Sequence, residues 1–259
     1  MLRADNAAAA PPGAEYRERM APTVPTFTAA QVRAAEAPLL AAGVPLMRRA
    51  AAALAEVIAE QNPKRMLVLA GAGDNGGDAL FAAADIAARG VPVDVLRTAE
   101  RAHAEALRAA TDAGARSIRL ADLDPAAYDV IVDGILGIGA RGALRGAPRD
   151  AVTALLPASA VVIAVDLPSG LDADTGAADE VVLTATTTVT FGAVKAGLTR
   201  GEGPRLSGRI VLVDIGLELD PADAVGEAAV AETCRRALHS PLDPLRPRRT
   251  TDVGDPCDV

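Results

Sequence analysis

Beyond residue 27 the chain alternates two kinds of apolar pattern. Short runs at 66–70, 93–96, 117–120, 130–133, 161–165, 187–191 and 210–213 read as strands, most of them built on Val, Ile and Leu and 187–191 on Thr. Between them, 78–89, 101–113 and 148–156 have helical spacing. An unbroken run such as 161–165 suits a strand covered on both faces, which means a parallel sheet with helices above and below. The expected class is α/β, a three-layer sandwich around a mostly parallel sheet. Less helix separates the last three strands, so that edge is expected to be mixed.

Ahead of the sheet, Val32, Ala35, Leu39 and Leu40 share one helical face, Thr28 and Gln31 have the spacing of a capping box, and Pro38 is expected to kink the helix. A second helix, 46–60, follows the Gly43-Val44-Pro45 break. Residues 1–25 are Ala, Pro and charge without periodicity and read as a disordered extension, with Met20 as a candidate start. After Gly216 the pattern decays to one further helix over 224–238. The tail 242–259 buries too little to offset about 1.5 kcal/mol of ordering entropy per residue. The expected division is an extension over 1–25, a domain over 26–218 and a partly disordered extension over 219–259.

Composition narrows the chemistry. The 259 residues carry a net charge of −8 and five aromatic side chains, Tyr16, Phe27, Phe81, Tyr128 and Phe191. That combination argues against nucleic acid and against an anionic membrane as partners. No apolar run reaches a membrane span and no signal pattern opens the chain, so a cytoplasmic protein is expected. Cys234 and Cys257 form no CxxC, and His103 and His239 are the only histidines, which removes most metal-hydrolase and Ser/His/Asp schemes.

Residues 66–78 read as a strand, a glycine turn and a helix, with Gly71, Gly73 and Gly76 in G-x-G-x-x-G spacing. Glycines there permit positive φ and close approach of backbone N–H groups to a phosphate. A ligand-free turn is the plain alternative. An ordinary NAD-binding fold wants an acid ending the second strand, roughly 20 residues on; here that strand ends in Leu96-Arg97-Thr98, with Asp94 inside it. Asp74, Asn75 and Asp78 suit a cation or a polar ring better than a pyrophosphate.

Asp133 and Asp166 each close an apolar strand. Strands of a parallel sheet end on one edge, so both should converge with loop 71–78 on one crevice. A buried Asp at a strand end is costly unless paired or functional; a turn cap is the bland reading. Ser169, between Pro168 and Gly170, can face the same edge as a hydroxyl ligand or donor. Asp172-Ala-Asp174-Thr-Gly176 lacks the twelfth-position Glu of a calcium loop and reads as a turn. The 137–146 loop, with Arg141 and Arg145, is either a surface loop or a phosphate flap. Lys195, one of two lysines, is either a site cation or a solvated turn residue.

Together GAGDNGGDAL, VDGILGIGARG, AVDLPSGLDADTG and TVTFGAVKAGL resemble, in order and spacing, the NAD(P)H-hydrate epimerases of the YjeF N-terminal domain family, over roughly residues 26–218. The resemblance implies a Rossmann-like αβα sandwich that interconverts the R and S forms of hydrated NADH and NADPH (NAD(P)HX), damaged cofactors with a hydroxyl at C6 of the nicotinamide. It implies K+ held by Asn75, Asp133 and Ser169. Substrate contacts would come from Asp74, Asn75, Gly76, Gly77 and Asp78, from Gly137, Ile138, Gly139, Ala140, Arg141, Gly142 and Ala143, and from Asp166. Asp166 is the expected acid/base, and the K+ role is structural. Relatives often carry Asn where Asp74 stands, and some carry Lys where Arg141 stands. The fused dehydratase domain of many relatives is absent, so a separate dehydratase is the expected partner; relatives are often dimers, which leaves a homodimer open. Two other readings are a non-catalytic ligand-binding module and a nicotinamide-dependent reductase, the latter lacking its ribose-binding acid.

Overall fold

The computed structural model describes residues 22–139 and 142–234; the extension up to residue 21, with Met20, and the tail from 235 onward lie outside the described residues. In chain order the elements are β1 (Thr23–Phe27), α1 (Ala29–Ala41), α2 (Leu46–Glu60), β2 (Met66–Ala70), α3 (Asp74–Ala88), β3 (Val93–Arg97), α4 (Ala104–Asp112), β4 (Arg116–Ile118), β5 (Val130–Gly134), α5 (Ala147–Leu155), β6 (Val161–Val165), β7 (Thr187–Phe191), β8 (Val194–Lys195), α6 (Gly203–Leu206), β9 (Arg209–Val213), β10 (Gly226–Ala229) and β11 (Glu232–Cys234).

Alternation along the strands builds the layers. Met66, Val68 and Ala70 of β2 pack with α2, α3 and α4 on one face, while Leu67 and Leu69 pack with Ala151, Val152 and Leu155 of α5 on the other. Both faces are therefore apolar, and a parallel sheet with α/β crossovers results. Among the described residues the large sheet has eight strands in the order β11-β9-β7-β6-β5-β2-β3-β4. Every pairing in it is parallel. The expected mixed edge is thus corrected: the chain returns from β7 to β9 through β8, a 3₁₀ turn (Ala196–Thr199) and α6, a short crossover that still reverses direction twice.

Three further expectations change. Thr23–Phe27, whose first residues were assigned to the extension, form β1, which pairs antiparallel with β10 and parallel with β8 in a small second sheet. The described part of the expected 224–238 helix is instead β10 and β11, because both find strand partners that local periodicity does not reveal. On α1 the capping box is formed and the helix runs through Pro38, but Leu40 is 59% exposed. At 100° per residue Leu40 falls on the edge of the Val32–Leu39 stripe, and Glu36 takes the inner place.

The order of strands sets the position of the site. From β2 the chain winds to β3 and β4 on one side, then returns through β5 and winds to β6, β7 and β9 on the other. The β2/β5 boundary is therefore the topological switch point, where loops diverge and leave a crevice at the carboxyl rim.

Candidate active site

The turn after β2 runs straight into α3, which begins at Asp74, four residues earlier than its periodicity predicts, so Asp74-Asn75-Gly76-Gly77-Asp78 is its first turn and a little more. Its glycines serve close approach rather than positive φ. A Cβ on Gly71 would lie 1.8 Å from the Ile135 carbonyl oxygen, and one on Gly76 would lie 2.2 Å from that of Gly71. The helix start is thereby pressed against the exit of β5, with the N–H groups of its first turn lacking intrahelical acceptors.

Four strand-end residues meet there. Asn75 Nδ2 donates to the carbonyls of Leu136 (3.0 Å) and Val165 (2.6 Å), joining the exits of β5 and β6. Leu136 N donates to Ser169 Oγ at 3.0 Å, and Ser169 Oγ donates to Asp133 Oδ1 at 2.6 Å. Ser169 N and Ile135 N also donate to Asp133, at 2.9 and 3.3 Å. Asp133 is buried and, among the described residues, no cationic side chain forms an ion pair with it. Burial pushes its carboxyl above the usual range, and the Ser169 and Ile135 donors oppose that shift. Asp133, Ser169 and Asn75 thus bring a carboxyl, a hydroxyl and an amide group, hard-donor types, to one junction, and no group of three or more His, Cys, Asp or Glu that could hold a metal ion occurs among the described residues.

Asp166 lies one residue past β6 in a left-handed conformation, φ +68°, which costs a non-glycine residue about 1–3 kcal/mol. Its N–H donates to Val189 O at 2.7 Å, which anchors the bend to β7. Three donors converge on its Oδ1: Thr190 Oγ1 at 3.2 Å, Phe191 N at 3.3 Å and the Lys195 ammonium in closer contact. No hydrogen bond reaches Oδ2 among the described residues. Lys195 is 1% exposed and also donates to Phe191 O at 2.8 Å and Thr190 Oγ1 at 3.2 Å. The lysine is buried and paired with Asp166, not a solvated turn residue.

Asp78, one turn into α3, is buried and, among the described residues, receives no hydrogen bond; its Oδ1 is out of contact with solvent and has no partner among them. Burial pushes its carboxyl well above the usual range, Asp166, Asp74 and Glu36 push the same way, and Lys195 opposes them. Glu36, half-buried on α1, is also raised, by burial first, against the pull of Lys195. Sequence reasoning missed Glu36, although the Val32–Leu39 stripe that faces inward carries it four residues after Val32. It also missed Thr190, for which no local signal exists.

Arg33 on α1 donates to Ile138 O, pinning the start of the 137–146 loop. Gly137 lies against Asn75: a Cβ there would fall 2.3 Å from Asn75 Oδ1. Ala140 and Arg141 lie outside the described residues. A cavity of about 200 Å³ opens between Leu136, Gly137, Gly142 and Ala143 on one side and the turns that carry Leu167 and Ala177 on the other. Asp166 adjoins it through Leu167, whereas Asn75, Asp78, Asp133 and Ser169 do not line it. Asp172 accepts from Asp174 N (3.1 Å) and Thr175 N (2.8 Å), the turn expected there. Asp94 lies toward the opposite rim, held by Arg65, Arg116 and the Tyr128 hydroxyl, away from any ribose position.

The profile of a family described as YjeF-related protein N-terminus matches residues 43–197. A Microbacterium testaceum protein named NAD(P)H-hydrate epimerase is 53% identical over 241 residues, covering 87% of this chain and 94% of its own length. A Clavibacter sepedonicus protein of the same name is 52% identical over 219 residues, covering 78% and 95%. The bifunctional NAD(P)H-hydrate repair enzyme Nnr of Mycobacterium tuberculosis is 40% identical over 234 residues, 86% of this chain but 48% of that protein. Among solved structures, yeast YNL200c superposes with a TM-score of 0.63 at 20% identity, covering 74% of this chain and 92% of the yeast chain, a likeness of fold.

Proposed function

The chain belongs to the family of YjeF-related N-terminal domains, and we propose on that footing that it is an isomerase, an epimerase that interconverts the R and S forms of hydrated NADH and NADPH. The observation that carries this reading is the match, along nearly their whole length, to relatives named NAD(P)H-hydrate epimerase.

The substrate carries its hydroxyl on C6, bonded to the ring nitrogen. The nitrogen lone pair expels that hydroxyl as water once it is protonated, and a planar iminium remains. Water then returns to either face. This chemistry asks for a proton-handling carboxyl and a negative surround for the cation. Asp166 is the proposed carboxyl: its Oδ1 is fixed by Lys195, Thr190 and Phe191 N, which leaves Oδ2 for water or substrate. A well-placed acid/base contributes about 10²–10⁴-fold. Residues 74–78 and 137–143 are proposed to line the dinucleotide, with the unpaired N–H groups of the α3 start facing its phosphates.

Asn75, Asp133 and Ser169 are proposed to hold K+. A bound K+ would supply one positive charge to offset Asp133 and tie the β5 and β6 exits to α3; proton transfer is left to the carboxyls. The nicotinamide pool defines the proposed setting, the cytoplasm, with a dehydratase as the activity that consumes the S form. No helix among the described residues is long and apolar enough to cross a membrane.

The direct test incubates the protein with purified R epimer and follows S by chromatography against the spontaneous rate. Rapid equilibration without redox change is expected. A ligand-induced rise in melting temperature without turnover would make the chain a binding module instead.

A further inference from the structure

Inversion at C6 needs water to leave from one face of the ring and return on the other. If the ring stays in place, the group that protonates the departing hydroxyl and the group that deprotonates the arriving water act on opposite faces. One carboxyl fixed by its neighbours cannot serve both. The structure holds two buried carboxyls of opposite character within electrostatic reach of each other. Asp166 hangs from the end of β6 and is paired with the Lys195 ammonium, the arrangement of an ionised carboxylate. Asp78 rises from α3, and among the described residues no cation is bonded to it and its Oδ1 is sealed from water without a partner.

We propose that Asp78 and Asp166 form an acid–base pair in which Asp78 carries the proton and Asp166 the charge, each serving one face of the nicotinamide. Asp78 gives its proton to the C6 hydroxyl, the C6–O bond breaks to release water, and the nitrogen lone pair forms the iminium. A second water attacks C6 from the other face and gives a proton to Asp166 Oδ2. Atoms and charge balance: one water leaves, one enters, and one proton has moved from Asp78 to Asp166. The reverse epimerisation returns it, and exchange with solvent resets the pair between turnovers in one direction. Environments that set two carboxyls apart in this way mark acid and base roles in other enzymes. The other charged groups around Asp78 are Asp74 on its own helix, Glu36 on α1 and Lys195 on β8. Burial, the largest influence on Asp78, favours the protonated form, and the three acids reinforce it.

The assignment rests on the epimerase reading, and the test separates the two. Asp78→Asn keeps the size of the side chain and loses the transferable proton. In the full chain it should lower the rate of R–S equilibration by about 10²-fold or more while the protein still folds and melts cooperatively. Wild-type rate should fall as pH rises through the elevated Asp78 titration, and the residual rate of Asp78→Asn should lack that limb. A second readout needs no substrate: the infrared difference spectrum, wild type minus Asp78→Asn at neutral pH, should show the carbonyl band of an un-ionised carboxylic acid. An active wild type with an equally active Asp78→Asn overturns the assignment and leaves the epimerase standing, as does a carboxylate band in place of the acid band. Loss of that limb in Glu36→Gln, with the limb kept in Asp78→Asn, would give the acid role to Glu36 and overturn the assignment. An inactive wild type overturns both.

Discussion

Lys195 shows what one residue contributes to this site. Its ammonium is sealed among Asp166, Thr190 and Phe191, and it compensates a carboxylate held on a left-handed backbone. Lys195→Met leaves Asp166 as an uncompensated buried charge, a loss of about 3–5 kcal/mol when one partner of such a pair is removed. Urea denaturation is expected to show a loss of that size. The double variant Lys195→Met/Asp166→Asn should recover part of it, because no charge is then left buried; strictly additive losses would mean the two groups are uncoupled. Gly137 makes a second single-residue case. Its missing Cβ leaves room for Asn75 Oδ1, and Asn75 cannot retreat because its Nδ2 bridges Leu136 and Val165. Gly137→Ala should cost about 1–3 kcal/mol of overpacking in a melt and should impair epimerisation by displacing Asn75; unchanged melting and turnover would show that the loop yields freely.

At the scale of elements, the site is a junction of three chain exits. β2 delivers the α3 start, β5 delivers Asp133, and β6 delivers Asp166 and Ser169. The chain of bonds from Asn75 through Leu136 and Ser169 to Asp133 ties them together. A cation seated there stabilises the folded state by mass action. Melting in potassium chloride should therefore exceed melting in tetramethylammonium chloride at equal ionic strength. The gain should shrink in Asp133→Asn, and identical wild-type melts in the two salts would count against a K+ site. This junction was legible in the sequence because apolar runs ending in Asp, next to Gly and Pro, report both strand and rim. The glycine pattern was read in the right place for the wrong reason: Gly71 and Gly76 avoid backbone atoms, and the positive φ falls on Asp166. What stayed hidden depends on long-range partners. β1, β10 and β11 are strands because of what lies beside them. Lys195 is buried because Asp166, 29 positions away, awaits it.

For the whole molecule, carboxyls divide between those that burial protonates and those that donors keep charged, and the division sets the stability profile with pH. Burial raises Asp94, but the donors from Arg116, Arg65 and Tyr128 outweigh it and hold it below its ordinary value. Asp129, under the Lys64 and Arg65 amides, and Asp179, under Leu144 N, Val181 N and Arg149, are lowered in the same way. A lowered group contributes stability above about pH 3.8, its unfolded value, and loses it as pH falls through the folded value. Asp78 has the opposite sign: its contribution is complete below about 3.8 and is lost as pH rises through its elevated folded value. The melting temperature should therefore pass through a maximum, falling at low pH as Asp94, Asp129 and Asp179 take protons and falling at higher pH as Asp78, with Asp133 and Glu36 of the same sign, gives up its proton. Melts from pH 2 to 9 test this by variant. Asp78→Asn should make the descent at higher pH shallower and leave the acid one in place, whereas Asp94→Asn should soften only the acid descent. A descent at higher pH as steep in Asp78→Asn as in the wild type would mean that Asp78 adds nothing to it and is already ionised in the folded protein, and the same carboxyl could then not supply the proton that turnover requires.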